Sequence, residues 1–252
     1  MMFRTLRAAC LVAPLAMASL SATAAEFTDK QREELGTIIR DYLLKNPELL
    51  MEAGEELQKR QAAAEEAQRA ETLTANAAEI FHSKNDLVAG NPKGSVTMVE
   101  FFDYNCAWCK KGLPEVLGLL DEDKNLRLVM KEFPIFGEDS EHAARAALAS
   151  RKQDKYWPFH LAMLGHEGKL SKADVDEIAA AQGLDMAKLK TDMDSPEIAA
   201  VIARNQQLAN AMAITGTPAF IVDRKLIPGY LSKDGLAAVI KEIRDAGGCT
   251  VC

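Results

Sequence analysis

The chain has no run of basic residues. Thirty Lys and Arg face 37 Asp and Glu, for a formal charge of -7 over 252 residues. An acidic chain without a basic stripe has no electrostatic footprint for nucleic acid or an anionic membrane. Beyond the first 25 residues no apolar stretch is long enough to span a bilayer. No internal repeat is evident. Histidine is scarce, at four, and none of the four has ligand spacing near a cysteine pair. That argues against structural zinc, which needs about four ligands. His82, His142, His160 and His166 read as ordinary surface or insertion residues, and the ten methionines as core filling. No cofactor and no metal is called for. Cysteine is sparse too, at five, but its placement is informative.

Residues 1–25 read as an export signal. Arg4 and Arg7 are followed by an apolar stretch from Ala8 to Leu20, and Ala22-Thr23-Ala24 supplies small residues for cleavage. Cys10 does not make this a lipoprotein signal, because Arg7 stands where such signals carry an aliphatic residue. Cleavage takes the formal charge from -7 to -9, since two arginines are lost. It also leaves four cysteines in two equal spacings, Cys106-Ala107-Trp108-Cys109 and Cys249-Thr250-Val251-Cys252. The expected compartment is the periplasm, where paired thiols cycle or lock.

Residues 26–90 read as a charged helical segment. Thr28 to Gln31 fits a capping box, and Leu35, Ile38, Ile39, Tyr42 and Leu43 repeat at helical spacing. Asn46-Pro47 ends one helix and starts another. An amphipathic segment of this kind needs a partner for its apolar stripe, either the body of the chain or another copy. Asn91 to Gly94 marks a boundary. Residues 91–246 then read as strand, helix, strand, a helical insertion at about 138–213, two short strands and a closing helix: an α/β domain. Residues 247–252 read as a flexible tail after Gly247-Gly248.

Val96 to Phe102 is a β-branched and aromatic strand running straight into the first cysteine pair. That junction puts Cys106 at a helix N-terminus, where unpaired N–H groups and the dipole stabilise a thiolate. Cys109 lies one turn later on the same face, within reach of a mixed disulfide. Cys106 is thus the expected exposed nucleophile and Cys109 the more buried resolving thiol. For Cys249 and Cys252 three readings stand: a local disulfide, a second redox pair, or a copper(I) thiolate site.

The segment Glu100-Phe101-Phe102-Asp103-Tyr104-Asn105-Cys106-Ala107-Trp108-Cys109 resembles the active-site segment of the DsbA family of thioredoxin-like proteins. Thr215 to Phe220 resembles the superfamily's cis-proline loop, and with Ile227-Pro228-Gly229-Tyr230 it is similar to disulfide isomerases of the DsbC type. The helical segment with Tyr42-Leu43-Leu44-Lys45-Asn46-Pro47-Glu48 is similar to the ScsC branch, the copper-tolerance thiol oxidoreductases. The resemblance implies a thioredoxin-like fold with a helical insertion and an N-terminal oligomerisation segment, in an assembly such as a trimer. It implies a cis Pro218 that sets Thr217 beside the cysteines to pair with client backbone. It also implies a Glu100 that takes the proton when Cys109 attacks. Lys131 is either a partner of Glu100 or a solvated side chain, and Trp108 is read as an apolar contact for clients.

Ala107-Trp108 departs from the oxidising DsbA pattern, which carries a His at the second position. The expected activity is therefore a thiol–disulfide oxidoreductase of isomerase or reductase character, acting on unfolded or misfolded exported proteins with a membrane-bound redox partner. Two alternatives stand beside it: a DsbA-like dithiol oxidase, and a copper-binding protein using the thiols as ligands.

Overall fold

A computed structural model describes residues 27–252; the export-signal reading and Cys10 lie outside them. The described chain divides into two units, the first ending at Arg60 and the second running from Gln61 to Cys252. In the first, α1 (Asp29–Lys45) opens on a complete capping box. Gln31 N–H donates to the Thr28 hydroxyl and Thr28 N–H donates to the Gln31 side chain. No residue of α1 is buried, and Leu35, Ile38, Ile39 and Tyr42 are all exposed. Asn46 caps that helix and α2 (Glu48–Ala75) follows, with the division between the units falling inside it.

The second unit is built on a five-stranded sheet of order β1-β3-β2-β4-β5. Its strands are β1 (Leu87–Gly90), β2 (Val96–Phe102), β3 (Leu126–Glu132), β4 (Ala219–Val222) and β5 (Lys225–Pro228). Only β2 and β3 are parallel; the other pairings are antiparallel. All seven residues of β2 are buried, as a strand covered on both faces requires. Alternation splits the core in two. Val96, Met98 and Phe102 join Leu126, Leu128 and Met130 on one face, under α4 (Ala107–Glu122) and α10 (Lys233–Asp245). Val99 and Phe101 join Val129, Ala219 and Ile221 on the other, against Leu73, Ile80 and Phe81 from the end of α2 and from α3 (Ala77–His82). Between β3 and β4 lie α5 (Glu138–Ser150), a turn of 3₁₀ helix, α6 (Tyr156–Leu164), α7 (Lys172–Ala181), α8 (Met186–Met193) and α9 (Pro196–Ala211). This is the element order read from the sequence.

Three expectations are corrected. The helical reading of residues 26–90 stops at His82, because Leu87 to Gly90 pair with β3 as an edge strand. Four residues are too few to display a period, so only the pairing decides them. Asn91 to Gly94 is consequently a turn inside the unit and not a boundary. Asn91 N–H donates to Leu126 O at 2.8 Å, and a Cβ on Gly94 would lie 2.6 Å from Arg127 N, so only glycine fits. Lys131 is neither solvated nor paired with Glu100. The register sets Glu100 opposite Met130 and Phe101 opposite Lys131, so the two side chains point to opposite faces. Lys131 is fully buried, bonded to the Asp86 carboxylate and to Glu79 O.

A buried pair costs most when one partner is removed, since a charge is then left without a counter-ion. Asp86→Ala is expected to lower the unfolding free energy in urea by about 3–5 kcal/mol. Asp86→Leu combined with Lys131→Met is expected to restore most of it.

Candidate active site

The C-terminal end of β2 runs into a short loop, and Cys106 is the N-cap of α4. The loop is held from three directions. Asp103 is buried, and its carboxylate accepts Asn105 N–H at 2.7 Å, Ile135 N–H at 2.7 Å and Phe136 N–H at 3.1 Å. Asn105 exchanges two hydrogen bonds with the backbone of Leu170, tying the loop to the segment before α7. Lys110, on the first turn of α4, donates to His166 O and Gly168 O. Every one of these anchors fixes backbone next to Cys106 without touching its sulfur.

Both thiols are buried, which corrects the expectation of an exposed Cys106, because the Thr217 backbone covers its sulfur; their hydrogen-bonding environments are nonetheless opposite. Cys109 N–H donates to the Cys106 sulfur at 3.3 Å, and the Cys106 thiol lies 3.1 Å from Thr217 O. The Cys109 thiol, donating to the same sulfur, is the largest influence that brings Cys106 down from its ordinary 9.0 to about 6. Burial opposes it, while the Thr217 side chain and the N–H groups of Cys109 and Trp108 add to it. The Thr217 hydroxyl makes no hydrogen bond with any described residue, whereas Cys109 N–H donates directly to the Cys106 sulfur. Cys109 is pushed far up, first by burial, then by its bond to Cys106 and by the Glu100 charge. Thr217 reaches the site because β4 pairs with β2, Ala219 opposite Phe101, and the Thr217–Pro218 peptide bond is cis.

Glu100 is buried mid-strand on the face that carries both cysteines. Burial and then the Cys106 charge push its carboxyl up to about 8, so near neutral pH it holds a proton. Trp108 stands out from the site, 53% exposed, with its ring 5.5 Å from that of Tyr230 and Lys111 Nζ 4.7 Å above it. The structure therefore gathers Cys106, Cys109, Glu100, Thr217, Pro218 and Trp108 at one end of the sheet. Cys249 and Cys252 are elsewhere, and they are not a flexible tail. They form a disulfide whose loop packs on the core and hydrogen-bonds Asp223.

Sequence reasoning missed a buried polar group behind the site. Tyr104 and Tyr156 hydroxyls both donate to Glu132 Oε1, and Tyr104 Oη lies 3.0 Å from His160 Nδ1. His160 is thus a core residue, against the surface reading: burial pulls it down to about 3 and keeps it neutral. The available signal was parity, since Glu132 lies two residues beyond Met130 on the same face of β3. Asp103 was quoted in the family segment without a role; its acceptor count supplies one.

Alkylation of Cys106 in the reduced protein is expected to rise with pH through a midpoint near 6, with Cys109 inert throughout. The sign for stability follows from linkage. A thiol lowered from 9.0 to about 6 adds stability to the reduced protein as pH climbs from about 6 to 9, and none below. Glu100, raised from 4.5 to about 8, acts the other way and withdraws stability between those values. Denaturant titrations of the reduced protein and of Glu100→Gln against pH separate the two.

Comparison with known proteins agrees with this geometry. The model of the DSBA-like thioredoxin domain matches residues 97–241, and that of the copper resistance protein ScsC N-terminal domain matches residues 31–64. A thioredoxin-like oxidoreductase from Silicibacter pomeroyi is 46% identical, over 67% of this chain and 97% of that one, with a TM-score of 0.66. BcfH from Salmonella enterica Typhimurium is 31% identical over 84% of this chain and 96% of its own, with a TM-score of 0.71. The Na(+)/H(+) antiporter NhaA 1 of Salinispora arenicola is 30% identical over 157 residues, 62% of this chain. That match spans only 24% of the antiporter, so the chain corresponds to about a quarter of the first curated relatives it matches. With the domain model covering more than half of its residues, the chain belongs to the DsbA-like thioredoxin family.

Proposed function

We propose that this protein rearranges disulfides in exported proteins of the periplasm, as an isomerase or reductase and not as a strong oxidant. One observation carries the reading: the Cys106 sulfur is met by Cys109 N–H and Thr217 backbone, with no imidazole in the Ala107-Trp108 dipeptide to stabilise a thiolate further, in keeping with a thiol lowered only to about 6. Strong oxidants hold their reactive thiol near about 3.5, whereas thioredoxin holds it near about 7. The less the thiolate is stabilised, the less the reduced form is favoured and the weaker the oxidant.

The steps follow from the residues. An extended client lies along the Thr217–Pro218 loop and pairs with Thr217 backbone. The Cys106 thiolate attacks one sulfur of the client disulfide, forming a mixed disulfide and releasing the other sulfur as a thiolate. That released thiolate can attack elsewhere in the client, and a client thiolate then expels Cys106 unchanged, which is isomerisation. Alternatively Cys109 attacks Cys106, frees the client reduced and leaves the Cys106–Cys109 disulfide, which a membrane-bound dithiol reduces again. Cys109 must lose a proton for this, and in this reading the buried Glu100 carboxylate takes it once ionised, its raised pKa in support. Trp108 offers the client an aromatic surface beside the sulfur.

The exposed stripe Leu35, Ile38, Ile39 and Tyr42 supports self-association, the trimer of the ScsC resemblance being the reading adopted. Several sites on one assembly engage one client at more than one point.

The reduction potential tests the direction. A value near about -180 mV, that of protein disulfide isomerase, is expected; one near about -120 mV would make the protein a dithiol oxidase. Ile38→Asp with Tyr42→Asp is expected to give a monomer by light scattering that reduces a small disulfide normally yet repairs a scrambled protein about tenfold more slowly. Undiminished repair by that monomer would remove the assembly from the mechanism. Glu100→Gln is expected to slow release from the mixed disulfide about a hundredfold near neutral pH, leaving the first attack unchanged.

A further inference from the structure

Cys249 and Cys252 stand apart from the thiol exchange proposed above. β4 leaves the active site at Thr217–Pro218 and runs antiparallel to β2, with Val222 opposite Met98. At about 3.4 Å per residue, Asp223 is roughly 20 Å from Thr217. Direct attack between the two cysteine pairs within one chain is therefore excluded, since disulfide exchange needs sulfur-to-sulfur contact.

The pair is held on something definite. Gly247 and Gly248, both at positive φ, close α10 and turn the chain back toward the β4–β5 turn. There Asp223, itself left-handed at φ 51 and buried, takes the loop. Its Oδ1 accepts Thr250 N–H at 2.7 Å, Val251 N–H at 3.0 Å and the Thr250 hydroxyl at 2.9 Å. Oδ2 has only the Thr250 hydroxyl, at 3.1 Å. Arg224 Nε donates to that hydroxyl at 3.1 Å, and its other arm reaches Thr74 Oγ1 on α2. One carboxylate oxygen and both sulfurs lie within 4.8 Å of one another.

We propose that the reduced pair, together with Asp223 Oδ2, binds one zinc ion. The spacing is that of the bonded sulfurs; once the bond is reduced, the short loop keeps two thiols next to the Asp223 carboxylate, and a divalent cation offsets the repulsion that arises when they ionise. Three anionic ligands leave a net single negative charge on the ion's site, and the Arg224 guanidinium, one hydroxyl away, offsets it. Asp223 selects the metal: copper(I) favours sulfur ligands, whereas zinc accepts two thiolates, a carboxylate and a water in tetrahedral array. The half-buried cysteines leave that fourth position open to solvent. A dithiol supplies two electrons and two protons to the Cys249–Cys252 bond and becomes a disulfide; a phosphine supplies the two electrons and becomes a phosphine oxide, its oxygen and the two protons coming from one water molecule. Both sulfurs are then thiols, and zinc displaces their two protons.

The test uses the full chain with Cys10→Ser, Cys106→Ser and Cys109→Ser, leaving the tail pair as its only thiols. It is reduced with a phosphine under anaerobic conditions and titrated with Zn(II) against a chromophoric chelator. One zinc per chain with release of two protons is expected, and none after Cys249→Ser and Cys252→Ser. Asp223→Asn keeps an acceptor for the loop and is expected to weaken retention at least about tenfold. X-ray absorption at the zinc edge gives an answer independent of any variant's folding: two sulfurs at about 2.3 Å and oxygens at about 2.0 Å. No retained zinc, a four-sulfur shell shared between chains, or retention of copper(I) alone would overturn the proposal.

Discussion

A strand buried on both faces sends its side chains alternately to two separate cores, and β2 imposes that alternation on its neighbours. It puts Glu100 on the side of Cys106 and Cys109 and sends Lys131, one step out of phase on β3, to the other side with Asp86. A one-residue slip of β3 against β2 would turn Lys131 to the thiol side. An ammonium would then sit beside Glu100 and the two cysteines, and Asp86 would be left without its partner. The same pairing rule aligns β4, which is why a loop more than a hundred residues downstream arrives 3.1 Å from the Cys106 sulfur.

The electrostatics of the site are an exercise in unequal burial. Both cysteines and Glu100 are almost wholly removed from water. Cys106 alone has donors directed at its sulfur from a helix N-terminus, so it alone is lowered. Cys109 and Glu100 share a face with no such donors and are both raised. Two neighbours of similar chemistry are thus driven apart in acidity, the condition under which one attacks and the other waits.

Much of this was legible in the residues. The junction of an apolar strand with Cys-x-x-Cys located the thiols, a local pattern with a physical reason, whereas the facing backbone at Thr217–Pro218 was legible only through the family resemblance of its loop. What escaped was decided by distant parts of the chain. Leu87 to Gly90 carries no period and becomes a strand only through β3. His160 looks like any helical histidine until Tyr104, from across the domain, reaches its ring. The tail looked loose because Gly247-Gly248 permits freedom; only the fold brings Asp223 close enough to remove it.

Both edges of the sheet are short. β1 and β5 are four residues each, and β5 ends in a proline that has no N–H to offer. Long free edges template the addition of further strands, so chains that meet extended, unpaired polypeptide at high local concentration risk being drawn into aggregates. Here little ladder is left at either margin of the sheet on which an extended segment can grow. The frame resists becoming a nucleus for the insoluble matter around it.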